Sequence, residues 1–525
     1  MDFSLIDICK NFYIYEIQAS NFATAFLAIH RQSVDFPIHF ILHDNSEISC
    51  PQQLKPVLNA NSSYGGTRAE PPLEGDYQQS RLNAIQSLIK LAFYESHVKH
   101  KYISKTNERG ALDGLISHNG KITQHLKSQN DLQQDIPKNF DFSRDFLQLN
   151  FNGGRVVILA HNKKIHEVII NANHPQAYEL YTAIFKEVGK FLNGQKEANK
   201  IDINGNLLER NSQISPGALF ITPDFGPNKK LADYAHEHTP QVLGVDASVG
   251  GGGGKAAYTV SGFFGAFDAV LEEGFFDRYD KNLPISLIGA AGAMGSDTAK
   301  RLAQRGFTNV TVSDIAYDYN QIIKIDSKTN EKLVPILDNE KYRMNGEAFQ
   351  RIPSSWSVAA AESQKFTDAA LGNNDKPRII IAMTFGMALE NSNIDAIPNN
   401  SILLLAENWS IPIGYEGLKI VQYLLSRSII TFPGQAITAG GAGNSKVEIF
   451  FRATTKGGIT KAMANQDKPT YYKRLGHEIV YRQIKQGAKD LLAISKKENI
   501  TITEALARYT DLNVLMKDRV SNVLI

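Results

Sequence analysis

The sequence predicts an α/β protein of two domains, an N-terminal α/β domain followed by a Rossmann-type domain with a C-terminal helical return. Three observations carry that prediction. The run Leu287-Ile-Gly-Ala-Ala-Gly-Ala-Met-Gly295 joins an apolar strand to a helix through a glycine turn. The chain has 525 residues, 42% of them hydrophobic, more than one core usually holds. Short apolar runs alternate with helical patterns along most of its length, as strands alternate with helices around a parallel sheet.

Taken in order, the first stretch shows strand-like runs at Ala25 to Ile29, Pro37 to Leu42 and Val156 to Leu159, with helical patterns at Ser80 to Phe93 and Ala177 to Leu192. Residues 1–243 are therefore expected to form the first domain. From Lys105 to Lys138 the chain turns polar and loses apolar periodicity, which fits either a functional lid or a passive insertion. Gly250 to Gly254 and Lys255 look at first like a phosphate loop. The match fails, because the first required glycine falls on Val249 and the residue after the lysine is Ala256. Five consecutive glycines read better as an interdomain hinge bordering the active-site mouth.

Residues 244–450 are expected to form the dinucleotide domain. Ile285, Leu287 and Ile288 fit its first strand, Ser296 to Arg305 a helix stopped by Gly306, and Asn309 to Asp314 a second strand. Arg378 to Met383, Ile402 to Leu405 and Ile429 to Phe432 follow as further strands covered on both faces. Gly289, Gly292 and Gly295 serve the tight turn, the close approach of a pyrophosphate and the packing of the helix; Ala293 and Met294 lie at the helix N-terminus. The spacing is G-x-x-G-x-x-G, with Ala290 standing where the usual fingerprint has its first glycine. Asp314, 25 positions after Gly289, suits a free ribose hydroxyl and would repel a 2′-phosphate, and no Lys or Arg follows before Lys324. NAD is thus the expected cofactor. Residues 451–525, with a helical stripe through Ile479, Ile484, Ala488, Leu491 and Leu492 and a second helix from Thr503, are expected to pack the domains together.

Composition narrows the partners. A net charge of +2, from 56 basic and 54 acidic residues, offers no basic excess for nucleic acid. Cys9 and Cys50 are too few for a disulfide framework and lack C-x-x-C spacing. No basic leader with an apolar core opens the chain, and no apolar run is long enough to span a bilayer, so a cytoplasmic protein without membrane contact is expected. His236-Glu-His238 lacks metal-site spacing, and no metal is expected.

Further motifs, in order, give the chain a resemblance to the glutamate, leucine, phenylalanine and valine dehydrogenase family, nearest its leucine and phenylalanine branch. Ala25 to His30 looks like an early strand of that family, and Gly65-Gly-Thr-Arg68 matches its G-G-T-R turn, which lies along the substrate. Leu149 to Arg155 is similar to the family's glycine-rich turn, and Ile221-Thr-Pro-Asp-Phe-Gly226 to the segment carrying its catalytic aspartate. Thr259 falls where a threonine holds the nicotinamide end, Asn408 matches a cofactor-contacting asparagine, and Thr438 to Gly441 with Asn444 echoes the N-A-G-G element. The resemblance implies hydride transfer at the α-carbon of an amino acid or 2-oxo acid, with Asp224 catalytic, Gly65, Gly66 and Arg68 at the substrate, and a homo-oligomer.

Two positions depart from that pattern. The family's catalytic lysine is replaced by Arg155, which stays charged at any accessible pH and can polarise a carbonyl but not act as a base. The substrate-carboxylate lysine aligns near Val98, with Lys99 the adjacent candidate. Loss of the lysine leaves open a reductase of a ketone or imine without ammonia chemistry, and a catalytically silent NAD-binding subunit.

Overall fold

The computed structural model describes residues 3–36, 61–113, 151–171, 174–223, 228–246, 251–338, 347–361, 370, 376–384, 386, 389, 393–407, 411, 415–454 and 468–512. The run Pro37 to Leu42, most of the polar insertion, Asp224 and Asn408 lie outside them. The chain divides into two compact units, Met1–Lys255 with Ala442–Ile479 and Ala256–Gly441 with Val480–Ile525.

The first unit is built on a mixed seven-stranded sheet: β1 (Phe12–Gln18), β2 (Ala23–His30), β3 (Ser63–Glu70), β4 (Asn152–Ala160), β5 (Ala198–Ile201), β6 (Leu207–Ser212) and β7 (Leu219–Pro223), ordered β6-β5-β1-β2-β4-β3-β7. β3 runs parallel to β4 and β7, and the remaining neighbours are antiparallel. One face is apolar throughout. Ala25, Leu27 and Ile29 of β2 and Val156, Ile158 and Ala160 of β4 alternate toward helix Ala177–Leu192, whose Tyr181, Ile184, Phe185, Val188 and Phe191 recur at helical spacing along one side. Helix Tyr77–Lys90 covers the opposite face, starts on an Asp76 cap and runs into a π-helical turn, Leu91–His97, before helix Val98–Glu108.

Both glycine motifs of this unit differ from the expected turns. Gly65 and Gly66 lie inside β3, and Gly153, Gly154 and Arg155 lie inside β4. The reason is close strand packing: a Cβ on Gly65 would run into the Gly154 carbonyl oxygen, and one on Gly153 into the Ala92 carbonyl oxygen and the His97 backbone. The expected polar insertion also begins later than Lys105, since helix Val98–Glu108 extends to Glu108.

The second unit carries a six-stranded, all-parallel sheet: β8 (Ile285–Ile288), β9 (Val310–Ser313), β13 (Ser357–Val358), β14 (Ile379–Ala382), β15 (Ile402–Leu405) and β16 (Ile430–Phe432), ordered β13-β9-β8-β14-β15-β16. Every residue of β8, β14 and β15 is buried, as in a sheet with helices on both faces. The strand order reverses between β8 and β14, which in doubly wound sheets is where ligands bind. Helix Ala293–Gln304 follows β8 and ends at Gly306, whose φ of 80° supplies the left-handed stop. Between β9 and β13 the chain inserts an antiparallel sheet, β10 (Lys324–Asp326), β11 (Glu331–Pro335) and β12 (Phe349–Pro353). The long helix Lys468–Glu498 and helix Ile502–Tyr509, the latter with a Thr501–Glu504 capping box, complete the C-terminal segment.

Candidate active site

In the first unit, strand alternation turns Arg155 away from the apolar face and under the π-helical turn, an element common at functional sites. There Val98 N–H reaches back five residues to the Phe93 carbonyl. Glu95, on that turn, ion-pairs with Arg155 at 3.0 Å and lies 3.8 Å from Arg68. The side chains of Glu95 and Arg155 are 1% and 4% exposed, whereas that of Arg68 is 28% exposed. Arg155 therefore spends its charge inside the fold, and Arg68 is the arginine of this group that reaches solvent. His97 accepts the Gly153 N–H through Nδ1 at 3.2 Å and stacks on His30 at 5.0 Å. Burial holds both imidazoles below their ordinary range, that of His30 at about 4.

Beside Gly65 the hydroxyl of Tyr64 accepts hydrogen bonds from Lys255 Nζ at 3.2 Å and from Ser445 Oγ at 2.8 Å, and Lys255 also donates to Ser445. Glu448, fully buried, lies 3.7 Å from Lys255 and 3.6 Å from Arg452 and accepts the Gly244 N–H on both oxygens at 3.0 Å. Gly244 sits at φ 80°, a conformation that lets its N–H turn to this carboxylate. Lys446, fully buried, donates to Ser104 Oγ at 3.0 Å, and burial together with Lys101 pulls its amine down to about 7. Lys99 is half-buried on the same helix as Ser104. Asn444, expected among the cofactor residues, is a buried residue of this unit, next to Ser445.

The second unit brings the glycine turn, the second-strand acid and the helix N-terminus together. Gly289, at φ 80°, follows β8, and a Cβ there would strike the Met383 carbonyl oxygen after β14, so the turn lies at the strand-order reversal. A Cβ on Gly295 would strike the Gly289 carbonyl oxygen, which makes glycine necessary for helix Ala293–Gln304 to close on the turn. Gly292 is different: the nearest atom to its Cβ would be Gly289 O at 3.6 Å, and the space beside it is open. Ala293 is exposed and Met294 half-buried at the first helical turn. Asp314, 8% exposed, accepts Ala291 N–H at 2.7 Å and Ala316 N–H at 2.8 Å. Burial pushes its carboxyl up while these amide bonds pull it down, and burial prevails. Gln350 of β12 donates to the Ala290 carbonyl at 2.9 Å and accepts from Tyr317 OH at 2.6 Å, so the inserted sheet is latched to the turn. Thr259 is buried on helix Ala256–Glu272.

Sequence reasoning missed Glu95, Tyr64, Ser445, Lys446, Glu448 and Gln350, and read Lys255 only as part of a hinge. A signal existed for some of them: Glu95 interrupts the run Leu91-Ala-Phe-Tyr, and Lys446 and Glu448 flank Val447 on a helix with a buried face.

Among the described residues no group of His, Cys, Asp and Glu is placed to hold a metal ion, and no helix is long and apolar enough to cross a membrane. No protein-family model and no curated protein sequence matches the chain. Solved structures do. L-tryptophan dehydrogenase from Nostoc punctiforme is 13% identical, with a TM-score of 0.50 over 99% of both chains. The hetero-hexameric glutamate dehydrogenase from Thermus thermophilus is 10% identical, with a TM-score of 0.51 over 96% of this chain and 86% of that one. The chain thus has the two-domain α/β fold of the amino-acid dehydrogenases.

Proposed function

We propose that the protein is an NAD-dependent oxidoreductase of the amino-acid dehydrogenase type, acting at the α-carbon of an amino acid or its 2-oxo acid. The observation that carries this reading is the glycine turn at the reversal of strand order, with open space beside Gly292 and the N-terminus of helix Ala293–Gln304 behind it. That cradle fits a pyrophosphate. NAD, when bound, supplies a hydride acceptor. Gly289, Gly292, Gly295, Ala293 and Met294 hold its phosphates, Asp314 favours free ribose hydroxyls, and Thr259, Asn408 and Asn444 serve its remaining contacts. Arg68, Lys99, Gly65 and Gly66 receive the substrate, and Asp224 moves the proton of its amino group. Arg155 acts by charge through Glu95, which positions Arg68 for the substrate carboxylate. The dehydrogenase fold supports this reading, and the reading carries with it self-assembly into a homo-oligomer, which light scattering checks.

The test follows NADH absorbance with a panel of amino acids and measures NAD and NADP affinities by calorimetry. NADH formation with an amino acid, and tighter binding of NAD than NADP, is the expected result. NAD binding without turnover would leave a silent NAD-binding subunit, and absence of dinucleotide binding would remove the reading altogether.

A further inference from the structure

The inserted sheet of the second unit ends in an uncovered edge. β10 pairs with β11 on one side and is the outermost strand on the other. The Asp326 carbonyl accepts the Asn330 N–H at 2.8 Å, which turns the backbone polar groups of Asp326 toward β11. Alternation along the strand then turns those of Ile325 the other way, so its N–H and C=O face the edge. The edge is also apolar: Ile322 and Ile325 are 82% and 58% exposed, and Ile323 between them is exposed as well. Such an edge pairs with another strand unless something blocks it, and a lysine is a common block. Here the lysine is Lys324, exposed between Ile323 and Ile325. It favours a strand that sets an acid opposite it.

β10 is itself such a strand. In an antiparallel pair of two copies, a two-fold axis through Ile325 sets each Lys324 opposite the partner's Asp326. Ile325 then meets its own copy and exchanges two N–H···O bonds with it, as the closely spaced pairs of an antiparallel ladder do. An axis through Lys324 would set two lysines opposite each other, which is unfavourable. The register with β11 and β12 places Lys324, Asp326, Glu331 and Arg351 on one face of the sheet. On that face Asp326 and Glu331 share Arg351, at 2.8 and 3.5 Å, so two carboxylates have one guanidinium between them. Lys324 takes no part in that network, and a second copy's lysine supplies the missing cation.

We propose that β10 is a self-association edge, at which two copies of this chain pair antiparallel about Ile325 and join their inserted sheets into one continuous sheet. The contact lies within the second unit. It gives the expected homo-oligomer one of its surfaces and needs neither cofactor nor substrate, so its failure leaves the oxidoreductase reading untouched.

The experiment measures the association of the full-length protein by sedimentation equilibrium, without cofactor, for wild type, Lys324→Glu, Asp326→Lys and an equimolar mixture of the two variants. Wild type is expected to self-associate. Each variant alone sets like charges opposite each other at two places across the axis, and its dissociation constant should rise by a factor of about ten or more. In the mixture every charge again meets its opposite, so mixed pairs should regain most of the wild-type affinity. Where other surfaces also hold copies together, the loss reads as a lower molar mass than that of wild type. Circular dichroism checks that both variants are folded. Should Asp326→Lys fail to fold, Ile325→Cys serves in its place. Residues opposite each other in a closely spaced pair stand about 5.5 Å apart at Cα, within disulfide range. Mild oxidation should therefore link two copies of that variant through position 325, which mass spectrometry distinguishes from links through Cys9 or Cys50. A monomeric wild type, wild-type association in both folded variants, dissociation that mixing does not reverse, or an Ile325→Cys protein that forms no such link overturns the inference.

Discussion

Replacing Lys446 by methionine should change the pH dependence of stability in a direction fixed by its burial. The side chain lies inside the first unit, with Ser104 Oγ at 3.0 Å, Lys101 repelling its charge and Glu108 attracting it more weakly. Its amine stands at about 7 in the folded protein against an ordinary value of 10.5. Between those values the unfolded chain binds a proton that the folded chain does not, so stability rises with pH across that window by about 1.4 kcal/mol per pH unit. Methionine has similar length and no proton, and every other titrating group is common to both proteins. The difference in unfolding free energy should therefore shift in favour of wild type by about 2 kcal/mol between about pH 7.5 and about pH 9. Equilibrium urea unfolding of both proteins across that range measures it. A difference that stays flat would mean that Lys446 is buried charged, and the argument from desolvation would be wrong.

Three further outcomes follow from the geometry. Glu95→Gln leaves Arg155 buried without its carboxylate and should cost about 3–5 kcal/mol in urea unfolding, most of it recovered in the double variant with Arg155→Met; a loss no larger than a surface substitution would show the pair to be dispensable. Gly292→Val should keep the circular dichroism of wild type and lose NAD binding, because its side chain enters open space, while Gly295→Val should lower the melting temperature because its Cβ strikes the Gly289 carbonyl. Equal behaviour of the two would refute the assignment of the turn. Gln350→Leu removes the donor to Ala290 O and strands the Tyr317 hydroxyl, and calorimetry should show NAD affinity falling about tenfold, the scale of a lost buried hydrogen bond; unchanged affinity would mean that the inserted sheet does not position the turn.

Local patterning determined a large part of this protein. Period-two and period-3.6 apolar runs placed β2, β8, β14, β15 and helix Ala177–Leu192 within a residue or two, because burial on one or both faces dictates those periods directly. The turn after β8, its helix, the stop at Gly306 and Asp314 were legible for the same reason: backbone conformation and steric clearance act over a few residues. What the sequence could not determine was which polar side chains meet. Glu95 lies 60 positions from Arg155, and Tyr64 lies 191 from Lys255 and 381 from Ser445, so their pairing depends on sheet order and on a π-helical turn that no local pattern announces. The glycines at 65, 153 and 154 were expected in turns because the resemblance places turns there, whereas close approach of β3, β4 and the π-helical turn required them in strands. The fate of Arg155 was likewise settled in three dimensions: an arginine on a strand is an active-site candidate until a carboxylate one layer above neutralises it, and only the packing of that layer placed Glu95 there.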